Sequence, residues 1–361
     1  MCWITEEAPE DCGLLFAPPD LADRSISAGP RPSRRPPSPD PNGRFRKDMG
    51  ILASHDCDAT SAYPIDDNRR MAPRVSIVVP NLDSPLAGET VAAIVGGNQA
   101  ISFEIVVVGS DTPGVVSGSD RVRLIETSEK LSPGAARNLG VGQTTGDLIL
   151  FTDADCRPRS VWVAIMVDAL ERSQIAGGSV DFDLAANRWA VADNIASFHG
   201  LLQDRAAELI TSRPLGSLNL GVRRDTWERL GGFDESLITS EDHDWFFRAR
   251  HAGVACAFVP AACVHHAAVR NSRADLVRHA TWYGRHFNDF RRKHPGVFDR
   301  GLTWKDAGRL RAFAPIKAWI SAMSIFLSHR SLRPAVRVLP GVALFRRTWY
   351  RTVAEHWTAA R

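Results

Sequence analysis

Residues Asp147–Cys156 read DLILFTDADC, and this stretch decides the fold class. An apolar run typical of a buried strand ends in Asp153 and Asp155, which occupy alternate positions. Two carboxylates at the end of a buried strand cost free energy unless a cation or hydrogen bonds satisfy them. Oxygen ligands of this kind suit Mg²⁺ or Mn²⁺ held together with substrate phosphates. The alternative is that both aspartates are solvated turn residues that cap the next helix.

Three further apolar runs precede this stretch and extend the pattern. They are Val75–Pro80, Glu104–Gly109 and Val122–Glu126, and helix-like sequence lies after the first and after the third. Short, fully apolar runs are typical of strands in parallel sheets, which are buried on both faces. The alternation predicts an α/β fold with a doubly wound, mostly parallel open sheet. Such a sheet binds its ligands at the carboxyl ends of its strands.

A cluster of acidic residues lies in SEDHDW, which spans Ser240–Trp245. Ser240 can cap a helix, and the helix dipole favours acids in the first turn. Capping accounts for one or two carboxylates, but the segment places Glu241, Asp242 and Asp244 within four positions. Mutual repulsion raises a carboxylate pKa in such a cluster, which suits a general base.

The pair His265-His266 follows a short apolar run. Neutral imidazole at the end of a strand is a good metal ligand, although a single histidine is as often a satisfied surface or core residue. Cys256 and Cys263 lie nearby, but the four residues do not have the ligand spacing of a zinc site. The pair is therefore a candidate for a metal site without a sequence motif of its own.

The segment SPGAARN, Ser132–Asn138, predicts a helix start. Ser132 is a good N-cap, and Pro133 suits the first helical position. Because the helix begins near the carboxyl edge of the predicted sheet, Arg137 can meet an anionic phosphate or a sugar. The alternative is ordinary capping with Arg137 exposed.

Taken in order, six segments resemble the family 2 glycosyltransferases, which have the GT-A fold. The segments are VSIVVP (75–80), SPGAARNLGV (132–141), DLILFTDADC (147–156), LNLGVRRDTWERLGGFDES (218–236), SEDHDW (240–245) and VHH (264–266). The resemblance covers about residues 74–266. It implies a nucleotide-sugar donor, a divalent metal ion (Mn²⁺ or Mg²⁺) and inversion at the anomeric carbon.

The resemblance also implies roles for individual acids. Asp153 and Asp155 resemble the Asp-any-Asp motif, with Asp155 as the main metal ligand and Asp153 nearer the ribose and sugar of the donor. Asp242 resembles the base that deprotonates the acceptor hydroxyl, and Glu241 is its partner on the donor side.

Further donor and metal contacts follow from the same resemblance. We expect Pro80, Asp111 and Arg137 to contact the donor, and His265 or His266 to reach the metal or the diphosphate. Family members usually place an aspartate directly after the second strand, where this chain has Gly109-Ser110 followed by Asp111. The nucleotide, UDP or GDP, is therefore left open.

Two other functions use the same acidic residues. A metal-dependent nucleotidyltransferase or phosphohydrolase would cleave nucleotides without transferring a sugar. A non-catalytic nucleotide-sugar binder would keep the fold, but the joint presence of Asp153, Asp155 and Asp242 argues against it.

The charge of the 361 residues is unevenly distributed. The net charge is +3, which gives no reason to expect nucleic-acid binding, but residues 267–361 hold 19 Lys and Arg against 5 Asp and Glu. We expect three regions: residues 1–72 as a Pro-rich tail or a mis-assigned start before Met71, residues 73–266 as the GT-A domain, and residues 267–361 as a basic helical region.

The basic region holds five of the ten tryptophans. Arginine and tryptophan together are typical of helices at an anionic membrane surface. In the segment from Ile316 to Arg330, the spacing places Trp319, Met323, Phe326 and Leu327 on one side and Lys317 near one end. The alternative is a buried core helix with solvated arginines.

The chain shows neither a secretion signal nor an apolar run of 18 residues, and its six cysteines form no C-x-x-C pair. We therefore expect a cytoplasmic enzyme with peripheral contact at the inner face of the cell membrane. Its acceptor would be a glycan or a lipid-linked molecule of the cell envelope.

Overall fold

The structure is a computed structural model that describes residues 75–98, 101–203, 208–210, 215–294, 307–329 and 332–356. The predicted tail, residues 1–72, lies outside the described residues. Strands and helices are numbered here in chain order.

The first four strands form a parallel sheet in the order β3-β2-β1-β4. Their bounds are Val75–Leu82 (β1), Phe103–Ser110 (β2), Val122–Glu126 (β3) and Leu148–Thr152 (β4). Most side chains of β1, β2 and β4 are buried, as expected for strands covered on both faces. The four apolar runs of the sequence are therefore the four parallel strands, and the predicted α/β class is confirmed.

The second half of the sheet mixes parallel and antiparallel pairs, in the order β4-β8-β6-β9-β5. Its strands are Cys156–Pro158 (β5), Ile175–Asp181 (β6), Glu208–Ile210 (β7), Asn219–Arg223 (β8) and Cys256–His266 (β9). The sequence predicts two short strands around Cys256–Pro260 and Ala262–His266, but β9 is continuous. Its pairing with β6 shifts register between Gly178 and Ser179, close to Pro260, because proline has no N–H for a ladder hydrogen bond.

Six helices connect the strands in the described part of the first 266 residues. They are Ala87–Gly97 (α1), Pro133–Gly142 (α2), Trp162–Arg172 (α3), Arg188–Phe198 (α4), Arg224–Leu230 (α5) and Glu241–His251 (α6). The helix start predicted at Ser132 is confirmed, since Ser132 Oγ accepts a hydrogen bond from Ala135 N at 3.2 Å. This cap fixes the first turn of α2 beside the carboxyl ends of β1 and β2.

Three helices follow the sheet and confirm the predicted helical C-terminal region. They are Arg273–Lys293 (α7), Ala307–His329 (α8) and Leu332–Glu355 (α9). α9 packs on α7, α8 and α4. Gly341 allows α9 to approach α4 closely, since a Cβ there would lie 2.6 Å from Ala192 Cβ. Within the described helices, none combines the length and apolar character needed to cross a bilayer.

Candidate active site

A cavity of about 850 Å³ opens at the carboxyl ends of the parallel strands. Pro80 and Asn81 of β1, Gly109 of β2, and Asp153 and Asp155 just after β4 all line it. This is the edge at which an open sheet binds ligands. Of the predicted donor contacts, Pro80 is therefore in the cavity wall.

Arg137 of α2 joins two acidic segments in this wall. Its Nη2 donates to Asp153 Oδ1 at 2.5 Å, and its Nη1 donates to Glu241 Oε1 at 2.8 Å. The Arg137 side chain is buried, so the sequence alternative of an exposed arginine is wrong. Both terminal nitrogens bind protein carboxylates, and the predicted contact of Arg137 with the donor stays a prediction.

Glu241 begins α6 and is almost fully buried. Burial raises the pKa of its carboxyl to about 7, and the negative charge of Asp242 adds to the increase, while Arg137 opposes it. The expected effect of clustered acids on a carboxylate pKa therefore falls on Glu241.

Asp242 lines the cavity and has its carboxylate held from two sides. Oδ1 accepts from the backbone N of His243 at 2.8 Å and contacts His243 Nδ1 at 2.9 Å, while Oδ2 accepts from the backbone N of Ser217 at 3.2 Å. Burial alone would raise the pKa of Asp242, but the charge of His243 and these hydrogen bonds outweigh it and hold the pKa well below its usual range. Asp242 is therefore an ionised proton acceptor inside the cavity.

Asp244 does not line the cavity, and its carboxylate contacts three basic side chains instead. Its Oδ2 accepts from Arg248 Nε at 3.0 Å, and its Oδ1 lies 2.7 Å from both Lys293 Nζ and His294 Nε2. The third carboxylate of the cluster therefore ties α6 to the C-terminal end of α7. α6 starts at Glu241 as predicted, but the Ser240 side chain makes no cap hydrogen bond because its backbone is left-handed, with φ at 66°.

Asp155 and His266 form the part of the cavity that can hold a metal ion. His266 Nε2 lies 3.6 Å from Asp155 Oδ2, and both residues line the cavity. His266 Nδ1 is buried without a hydrogen-bond partner among the described residues. Cys156 Sγ lies within 4.8 Å of the ligand atoms of both, and burial raises the pKa of its thiol well above the usual value. The carboxylate and the imidazole are ligands that fit Mn²⁺.

His265, the other metal candidate, lies apart from this pair, and its predicted role stays a prediction. Successive residues of a strand point to opposite faces. His265 Nδ1 is 3.6 Å from Asp181 Oδ2, and the residue does not line the cavity. Of the two histidines, only His266 lines the cavity.

Asp111 also lies outside the cavity wall, and its predicted contact with the donor stays a prediction. Its Oδ2 accepts from Val116 N at 2.8 Å and shapes the loop after β2. Gly109 lines the cavity instead, with φ at 131°, and a Cβ there would lie 1.8 Å from Asn81 O. A side chain is therefore excluded at the position where this chain departs from the family pattern.

Sequence reasoning missed a third wall of the cavity, built from α4, α7 and the loop before α7. Asp193 is buried, with Oδ1 2.6 Å from His279 Nδ1 and Oδ2 accepting from Arg270 Nη1 at 3.2 Å. Arg270 and His279 lie 77 and 86 positions after Asp193, so no local motif connects them to it. The sequence feature that could have indicated this wall is Arg270, a basic residue four positions after His266.

The comparisons agree with this fold and cavity. A model described as "Glycosyltransferase like family 2" matches residues 73–285. Glycosyltransferase AglE of Haloferax volcanii is 31% identical over 142 residues, which cover 38% of this chain and 45% of AglE. The pre-mycofactocin glycosyltransferase of Mycobacterium tuberculosis is 25% identical over 247 residues, which cover 66% of this chain and 52% of that protein.

Among solved structures, the mannosyltransferase PcManGT from Pyrobaculum calidifontis, in complex with GDP-Man and Mn²⁺, is 24% identical to this chain. The match covers 80% of this chain and 86% of PcManGT, with a TM-score of 0.47.

The mostly parallel sheet with an acid-lined cavity at its strand ends defines an α/β ligand-binding domain. Because the family model matches more than half of its residues, this chain belongs to glycosyltransferase family 2. The chain spans about half the length of the curated relatives it matches.

Proposed function

We propose that this protein is an inverting glycosyltransferase that moves a sugar from a nucleotide-sugar donor, with UDP or GDP, to an acceptor hydroxyl. The observation that carries the proposal is the ionised Asp242 in the same cavity as Asp155 and His266. Asp242 supplies a proton acceptor, and Asp155 with His266 supplies a site for a divalent cation. Asp155, Asp242 and His266 come from separate segments of the chain and line one cavity.

Asp242 has the properties that the proposed transfer needs. The acceptor hydroxyl oxygen attacks the anomeric carbon, its proton passes to a carboxylate oxygen of Asp242, and the bond from the sugar to the diphosphate breaks. The electron pair of that bond leaves with the diphosphate. A single displacement of this kind inverts the anomeric configuration, through an oxocarbenium-like transition state. The low pKa of Asp242 keeps its carboxylate ionised throughout the neutral range, so it can take the proton as attack on the anomeric carbon makes the acceptor hydroxyl more acidic.

Cations on the opposite wall match the charge that develops on the diphosphate. Asp155 and His266 would hold Mn²⁺ or Mg²⁺, and the bound ion would stabilise negative charge on the departing diphosphate. Arg270 lines the cavity with its side chain about one-third exposed and adds a positive charge near His266. Buried Asp193, which also contacts His279, holds the guanidinium in place, so this charge needs no rearrangement during the reaction.

The acceptor side of the cavity is more apolar. Trp282 and Ile238 line the cavity and are among the exposed large apolar residues. We take the acceptor to be a glycan or a lipid-linked molecule, whose apolar faces suit such a rim. For such an acceptor, we take the enzyme to be cytoplasmic and in peripheral contact with the membrane.

A panel of UDP- and GDP-sugars with Mn²⁺ tests the proposal. Nucleotide release is measured with and without an acceptor extract, and NMR of the product gives the anomeric configuration. We expect release to depend on the acceptor and the product to be inverted. Nucleotide cleavage without sugar transfer would instead support the phosphohydrolase or nucleotidyltransferase alternative, and donor binding without turnover would support a binding protein.

A further inference from the structure

Among the described side chains of helix α8, Ile316 and Trp319 are exposed, whereas Phe313, Ile320 and Met323 are half-buried. The inner face of α8 consists of small or polar residues, and Ala314, Ala318, Ser321 and Ala322 are all buried there. These small side chains allow α8 to pack on α9 and α4. A helix of a water-soluble domain normally has the reverse arrangement, with its large apolar residues against the core.

The outer face of α8 carries an apolar stripe. Ala312, Pro315, Ile316 and Trp319 are three or four positions apart, so they lie on one side of the helix. Ile316 is 49% exposed and Trp319 is 59% exposed. Lys317 is buried, so it does not flank this stripe as the sequence predicted, and the side chains of Phe326 and Leu327 lie outside the described residues. Of the four residues predicted to share one side, Trp319 is exposed and Met323 is half-buried.

The charge around the stripe indicates what covers it. No acidic residue occurs from position 307 to position 354 of the sequence. Arg309 and Arg311 are exposed one turn before the stripe. A second protein surface of this chain is a poor occupant, since residues 267–361 carry 19 basic against 5 acidic residues and would repel their own copy. An anionic bilayer surface complements both the cations and the aromatic and aliphatic side chains.

We infer that α8 lies on the surface of an anionic lipid bilayer, with Ile316 and Trp319 inserted at the level of the headgroups. α4 lies between α8 and the cavity, because α8 packs on α4 and Asp193 of α4 lines the cavity. Binding through α8 would therefore hold the cavity one helix away from the lipid. The inference concerns where the protein acts and does not depend on the proposed sugar transfer, although both fit a lipid-linked acceptor.

Flotation of the full chain with vesicles tests this inference. The vesicles contain phosphatidylcholine alone or phosphatidylcholine with phosphatidylglycerol, at low and at high salt. We expect binding to the anionic vesicles at low salt and weaker binding at high salt. The double variant Ile316→Ser, Trp319→Ser should lose at least about tenfold in partition coefficient, and Arg311→Gln about fivefold, because one cation near the surface contributes about 1 kcal/mol.

Val161→Ser is the matched control, because Val161 is 48% exposed and lies at the start of α3 instead of α8. This control should bind like the wild type, and circular dichroism should show that all variants are folded. Recovery of the wild type in the unbound fraction under every condition would overturn the inference, as would equal binding of the double variant.

Sedimentation velocity adds a third decisive outcome. A dimer that dissociates in the Ile316→Ser, Trp319→Ser variant, while vesicle binding is unchanged, would show that the stripe joins two copies. Nucleotide release from soluble nucleotide sugars is measured separately, so failure of the proposed sugar transfer would not be mistaken for failure of membrane binding.

Discussion

Arg137 and Asp153 are joined by a hydrogen bond of 2.5 Å between Nη2 and Oδ1, inside the cavity wall. The other terminal nitrogen of Arg137 binds Glu241, the residue before the proposed base. One buried guanidinium therefore connects the strand end on the donor side to the helix start that carries Asp242. The relative position of these two acidic segments depends on this side chain.

The first prediction concerns the loss of this connection. Arg137→Met leaves the buried Glu241 beside Asp242 without its cation, so we expect the free energy of unfolding to fall by about 3–5 kcal/mol. Urea denaturation at neutral pH measures this change. Arg229→Met is the control, since Arg229 is exposed and bonded to Gln174, and its loss should be within about 1 kcal/mol. Equal losses in the two variants would show that the bridge is not a stabilising feature.

The parallel half of the sheet could be predicted because its signals are local. Runs such as Val75–Pro80 are apolar throughout, and a helix start such as Ser132-Pro133 depends on neighbouring residues only. The position of Asp153 and Asp155 at the ligand edge follows from the same pattern, because the end of a parallel strand lies at that edge.

The partners of the site residues could not be predicted, because they depend on contacts between distant segments. Arg137 is 16 positions from Asp153 and 104 from Glu241, and the sequence does not show which carboxylates a helical arginine reaches. The choice between His265 and His266 depends on which face of β9 meets Asp155. That face is set by pairing with β6, where the register shifts at a bulge.

The second prediction separates these two histidines. Asp155→Ala and His266→Ala should each weaken Mn²⁺-dependent donor binding at least about tenfold, because each removes one of the two proposed metal-binding groups. Isothermal titration calorimetry with a nucleotide sugar, with and without Mn²⁺, measures this effect. His265→Ala is the matched control and should bind donor like the wild type. The metal site would be misplaced if His265→Ala were the weaker binder and His266→Ala were normal.

The third prediction concerns the proposed base. Asp242→Asn keeps the size of the side chain but cannot accept the proton, so we expect sugar transfer to fall by roughly 10²–10⁴-fold. Donor affinity should change much less than transfer, although the amide keeps a single oxygen that can accept from the backbone N of either His243 or Ser217, which donate to different oxygens of Asp242. Transfer kinetics and calorimetry on the same preparation provide both values. Asp225→Asn, an exposed position on α5, is the control that should retain full activity. Normal turnover by Asp242→Asn would exclude it as the base.

The last prediction uses Asp244, two positions after the proposed base. Burial alone would raise its pKa, but hydrogen bonds from His294, Lys293 and Arg248 outweigh burial and lower the pKa of Asp244 from 3.8 to about 2. A depressed pKa means that the ionised group stabilises the folded state above pH 3.8, and that this stability is lost as the pH falls through about 2. The shift corresponds to about 2 kcal/mol, and Asp244 has no exposed side-chain surface that would screen it.

Asp244→Asn should therefore be less stable than the wild type near neutral pH, by about 3–5 kcal/mol, because three cationic or cation-forming side chains lose their shared anion. The difference in unfolding free energy between the two proteins should shrink by about 2 kcal/mol as the pH is lowered from about 4 toward 2, because only the wild type loses stability from this group. Urea denaturation is measured at each pH down to the lowest at which the wild type unfolds cooperatively. Asp225→Asn should show a small difference with no such slope. If the difference between Asp244→Asn and the wild type stayed constant with pH, the ion pairs to α7 would not be the source of the stability that Asp244 contributes. Sugar transfer by Asp244→Asn, measured at a temperature where the variant is folded, would then decide whether Asp244 acts in the cavity.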